Sequence, residues 1–114
     1  MAIVNFTVEN DADFYRQFLY RYLDGSPIDL TGNTMKMGIR KRAADAIEEM
    51  LLTTENGGLA IVDAALGKFT VRITQGQLAE LPVGDYDHSL IRMAGGLHLR
   101  VWSGMLTNNA GPSR

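Results

Sequence analysis

The run Asp85-Tyr86-Asp87-His88 brings two carboxylates and an imidazole within four positions, the residue types that ligate a divalent cation or trade a proton in acid–base work. Spacing argues against both. On an extended strand Asp85 and Asp87 project to one side and His88 to the other, so the three cannot close on one ion without a bulge. The structural reading puts Asp85 in the turn after Gly84 and sets Tyr86, His88 and Leu90 on the core side, with His88 satisfied by one hydrogen bond. Nucleophilic chemistry fares no better. Ser26, Ser89 and Ser103 lie in no G-x-S-x-G elbow, His98 sits beside a hairpin, and neither histidine has an acid partner at a local spacing. A triad can be assembled from distant segments, but the polar convergence that a pocket-borne site needs is not visible. With no cysteine, disulfides, thiolate metal sites and thiol nucleophiles drop out together. The chain is therefore expected not to be an enzyme, with no catalytic residue, no cofactor and no metal site.

Charge excludes a further class. Arg40-Lys41-Arg42 is a basic triplet at the end of an alternating run, and Arg16, Arg21, Arg72, Arg92 and Arg100 are scattered, but the formal net charge is −2. Nucleic-acid binding is driven by clustered Lys and Arg, so no nucleic-acid partner is expected. The amino end lacks a basic region followed by an apolar run, so no signal peptide is expected. No stretch of about 18 apolar residues suggests a membrane span. Synthesis in a cytoplasm follows as the expectation.

The elements that would position these residues are short and extended. With 46% hydrophobic and 21% charged residues spread evenly over 114 positions, the chain reads as one globular domain without repeat or linker. Ile3 to Val8 is β-rich, with Val4, Phe6 and Val8 on one face. Phe14 to Leu23 carries its aromatics at a period that fits strand or helix, and the Asp24-Gly25 turn directly after it favours strand. In Asp24 to Gly32, DGSPIDLTG, two turn signals enclose Ile28 and Leu30, which makes the stretch a strand-to-strand corner that holds a fold together. Met35, Met37 and Ile39 then alternate with Lys36, Gly38 and Arg40, as a half-buried strand does. Residues 43–50, AADAIEEM, have the highest helix propensity and suggest one or two helical turns before a strand that begins near Glu49. A turn at 55–58, a strand at 59–62, a turn at 64–67 and a strand at 68–74 with Phe69, Val71 and Ile73 inward come next. Thr74 with Gln77 has the spacing of a capping box. Gly84 to Met93 and Leu97 to Leu106 flank a Gly95-Gly96 hairpin. About seven or eight strands without a βαβ rhythm give an all-β fold, an antiparallel sandwich or barrel with one or two short helical turns. The polar end, residues 108–114, should fray unless something outside the domain holds it.

The order of these pieces is familiar: DGSPIDLTG, then TTENGG with a short strand and Gly-Lys-Phe-Thr, then LPVGDY leading into a strand, a Gly-Gly hairpin, and Trp102-Ser103-Gly104. Over roughly residues 13–107 the chain resembles the small immunoglobulin-like β-sandwich proteins of bacteriophage and prophage tails. It is similar also to the amino-terminal domain of phage baseplate upper proteins. It departs from them in AADAIEEM and in the amino-terminal IVNFTV. The resemblance implies an antiparallel immunoglobulin-like sandwich at 13–107, with a strand or arm at 1–12 and a polar tail at 108–114. It implies a structural role in a virion, as an adaptor in tail, baseplate, neck or fibre attachment. Partners would be other virion proteins and copies of itself in a symmetric assembly. Edges and termini would then make the contacts, through Ile3, Val4, Phe6, Trp102, Asn108, Asn109, Pro112 and Arg114. The alternative is a carbohydrate- or receptor-binding module, in which an exposed Trp102 or tyrosine beside Asp11–Asp13 or Asp85–Asp87 forms a platform; a small hydrolase is a third and weaker reading.

Overall fold

A computed structural model describes residues 2–113. Along the chain run β1 (Ala2–Ile3), β2 (Phe6–Glu9), β3 (Phe14–Leu19), β4 (Thr34–Arg40), β5 (Met50–Thr53), β6 (Leu59–Asp63), a 3-10 turn (Ala64–Leu66), β7 (Lys68–Ile73), α1 (Gln75–Glu80), β8 (Gly84–Ala94) and β9 (Leu97–Asn109). They form two sheets. The larger has the order β1-β9-β8-β4-β5 with β2 also on β9, and the smaller is β3-β7-β6. The expected β-rich, mainly antiparallel architecture is what forms, but the described residues hold nine strands and not seven or eight. The extra strand comes from Val4–Asn5, which breaks the expected run at 3–8 into β1 and β2. Here the chain crosses close to β9: the Val4 carbonyl occupies the space a Cβ on Gly104 would need, and the Asn5 amide oxygen accepts the Met105 N–H. Both β1 and β2 pair with β9 in parallel, so residues 2–9 belong to the large sheet and are no free arm.

The alternation read in the sequence sets the core. Met35, Met37 and Ile39 from β4 face Phe69, Val71 and Ile73 from β7, all buried. Between the sheets lie four rings. Trp102 has its ring centroid 4.7 Å from Phe18, 5.7 Å from Phe69 and 5.8 Å from Phe6, contacts that each add about 0.5–1.5 kcal/mol beyond area burial. A register shift opposite Leu90 and Ile91 adds Val101 to β9, and both Val101 and Trp102 are buried as a result.

The corner at 24–32 serves this core. Asp24 accepts the N–H and hydroxyl of Ser26, and Asp29 does the same for Thr31, so each Asp closes its own turn. These bonds hold both carboxyls below the usual range. Between the turns Ile28 and Leu30 drop into the core although neither lies in a strand. The corner docks on the turn before β7: Tyr20 N–H bonds Gly67 O at 2.8 Å and Leu30 N–H bonds Ala64 O at 2.8 Å. Gly67 has φ 68°, and a Cβ there would stand 2.4 Å from Tyr20 O, so only glycine fits.

Two expectations are corrected. Residues 43–49 are an exposed loop and not a helix, although the strand begins at Met50, within one residue of the expected place. Helix propensity loses because so short a run cannot sustain a helix without tertiary packing, and Ile47 is left exposed; the Arg40 guanidinium instead bonds the carbonyls of Asp45 and Ala46. The carboxyl end is held by its own domain. Asn10 N–H bonds Asn109 O, the Asn10 side chain accepts Gly111 N–H, and Asp11 accepts Ser113 N–H. The capping box is present as expected, with Thr74 and Gln77 exchanging side-chain and backbone bonds at the start of α1.

Candidate functional site

Outward-facing positions of five strands meet on the open side of the large sheet. One file runs across it in register: Leu51 opposite Gly38, Gly38 opposite Ser89, Ser89 opposite Ser103, and Ser103 opposite Ile3. Its centre is built from a glycine and two serines, so the surface is low there. The neighbouring files stand higher. Lys36, Ile91 and Arg100 form one wall and Arg40, Asp87 and Met105 the other. The result is an open depression of about 760 Å³ that also takes in Glu48 and Ala43 from the loop before β5.

The two walls differ in charge. Arg40 lies 3.7 Å from Glu48, and Asp87 accepts the Ala43 N–H at 2.9 Å, so one wall is neutralised by its own loop. On the opposite wall Lys36 and Arg100 flank Ile91 and make no ion pair or hydrogen bond through their side chains with any described residue. Exposed Ile3, Leu51 and Met105 add apolar surface around the depression. This arrangement spreads its groups over a broad surface, which suits contact with another macromolecule better than grip on a small molecule.

His88 sits behind this face. Its side chain points inward, its ring 5.0 Å from that of Phe6, and it is buried as the alternation required. The expected hydrogen bond is missing: neither ring nitrogen has a partner of hydrogen-bonding geometry. Burial pushes its pKa below the ordinary value, and the backbone of Met105 and Val4 and the charge on Asp87 oppose that only partly.

The residues expected to make partner contacts divide sharply. Phe6, Trp102 and Asn108 are buried within the domain, Trp102 at 4% exposure, and offer a partner almost nothing. Asn108 instead donates to the carbonyls of Leu78 and Leu81, tying α1 to β9. Val4 is partly buried, and Asn109, half-buried, takes part in the latch with Asn10. Ile3, at 69%, and Pro112 are exposed. Arg114 lies outside the described residues. A burial this complete for Trp102 removes it as a carbohydrate platform. The acidic pairs are occupied too: Asp11 by Ser113, Asp13 by Gln75 N–H, Asp85 by the Thr107 hydroxyl and Asp87 by Ala43.

Sequence reasoning missed the depression. Lys36, Gly38, Ser89, Arg100 and Ser103 each carry a readable signal, an outward position in an alternating strand, but only strand register brings them together. Among the described residues no group of three or more His, Asp or Glu could hold a metal ion, and no helix is long and apolar enough to cross a membrane. No protein-family model matches the chain, and no curated protein matches it in sequence.

Proposed function

We propose that this chain is a non-enzymatic, immunoglobulin-like adaptor of a tailed-phage particle, contacting neighbouring virion proteins through the open face of its large sheet and through its strand edges. The observation that carries the reading is that face, a broad depression with a small-residue floor and two unneutralised cations on one wall. Several features support the finer fold class. The first strands lie parallel beside the last in one sheet, β3-β7-β6 opposes it, and Trp102 is buried between them. Tyr86 near the start of β8 donates to the Pro82 carbonyl four residues upstream, the bond known as a tyrosine corner in such sandwiches. A fold of this class hosts many functions, so the role rests on the surface and on the resemblance, not on topology.

The test is compositional. In particles purified from a strain that makes this chain, mass spectrometry should find it in fixed stoichiometry with tail proteins. Ser89→Arg and Ser103→Arg, which raise the floor of the depression, should abolish incorporation while leaving the melting temperature within a few degrees, about the shift expected for surface changes. Absence of the chain from purified particles would end the virion reading. Normal incorporation of both variants would end the role of the face.

A further inference from the structure

An open strand edge exposes unpaired backbone groups and invites another strand, so folded proteins block such edges. Three of the four edges here are blocked. At β5 the Asn56 side chain accepts the Thr53 N–H and donates to the Leu51 carbonyl, standing in for a neighbouring strand. At β6 a register shift between Ile61 and Asp63 breaks the edge. At β1 and β2 the edge is broken by Val4–Asn5. The fourth, β3, is different. It pairs with β7 in unbroken register from Phe14 to Leu19, and no other described segment bonds its far side.

The pairing fixes which groups point outward. Tyr20 N–H bonds Gly67 O in continuation of the β3–β7 register, so the even-numbered residues of β3 bond inward. Tyr15, Gln17 and Leu19 therefore turn their N–H and C=O groups to the open edge. The side chains of Tyr15 and Leu19 are also exposed, at 64% and 46%.

We infer that β3 is a self-pairing edge: two copies of this chain join β3 to β3 antiparallel about a two-fold axis through Gln17, fusing two three-stranded sheets into one of six. The sequence is self-complementary in that register. Tyr15 falls opposite the second copy's Leu19, an aromatic–aliphatic pair that covers both exposed side chains. Gln17 meets Gln17. Arg16, whose guanidinium already lies 5.3 Å from the Phe14 ring centroid, falls opposite the second copy's Phe18. All the outward backbone groups of Tyr15, Gln17 and Leu19 gain partners. A shift that places Arg16 on the axis sets two guanidinium groups face to face and is disfavoured. The contact is isologous and closes at two copies. It deepens the adaptor reading by naming a contact, yet it is measured on the isolated chain, so either can fail without the other.

Sedimentation of the full chain should show the mass rising from 12.5 kDa towards twice that value with concentration. Gln17→Pro removes an outward N–H without touching the β7 ladder and should weaken the dimer about tenfold or more. Because the chain has no cysteine, Gln17→Cys should cross-link to itself under mild oxidation, whereas in Tyr15→Cys the two positions stand about 13 Å apart along the strands and should not. If the proline variant fails to fold, Tyr15→Lys/Leu19→Lys should dissociate the dimer, and Tyr15→Lys/Leu19→Glu should restore it. A chain that stays monomeric up to about 1 mM, or a dimer that resists these changes or lacks the Gln17→Cys cross-link, overturns the proposal.

Discussion

Tyr86 joins two parts of the molecule with one hydroxyl. Its ring is buried at the start of β8, Lys41 lies over its face at 4.8 Å, and its O–H reaches the Pro82 carbonyl, fixing the entry from α1 into the long strand. Tyr86→Phe keeps the ring and loses the bond, and should cost about 1 kcal/mol in urea unfolding. His88 gives a pH-dependent term. Its folded pKa lies below the ordinary value, so the native state binds fewer protons there than the unfolded chain; stability is full above the unfolded pKa and falls as pH drops through the folded one. Wild-type urea midpoints should therefore decrease between about pH 7.5 and about pH 5, and His88→Leu should remove a measurable part of that decrease. Alternation made the position of His88 legible in the sequence. Its lack of a partner was not, because that depends on where Val4 and Met105 pass the ring.

At the scale of elements, period-2 patterns were readable wherever one side of a strand meets the core. Met35, Met37 and Ile39 needed no further information, nor did Phe69, Val71 and Ile73, nor the capping box at Thr74. Residues 43–49 show the opposite case, local propensity in a run too short to sustain a helix and left unpacked, with Ile47 exposed. Since that segment is a loop, Ala44→Gly should change stability by under about 0.5 kcal/mol, where a helix interior would lose about 1 kcal/mol; urea titration separates the two. Register was the illegible part. That Gly38, Ser89 and Ser103 share a file depends on pairings between segments far apart in sequence, which no local pattern encodes. Gly104 shows how register exacts a particular residue, since the Val4 carbonyl sits where its Cβ would go. Gly104→Ala should push β1 and β2 off β9 and lower hydrogen-exchange protection at Val8 and Thr107 before that of β7.

Across the whole molecule, the sheets close on the Trp102 ring cluster while the segment that follows β2 is stitched to the carboxyl-terminal residues at Asn10, Asp11, Asn109 and Ser113. The parallel pairing of β2 with β9 has a mechanical consequence. A pull on the two ends drags these strands in opposite directions along their own axis, so the bonds from Phe6 to Glu9 with Leu106 to Asn109 bear load together instead of opening one after another. Stretched from its ends, the protein should resist as a shear clamp and then yield abruptly. In single-molecule pulling, Gly104→Ala should lower that yield force.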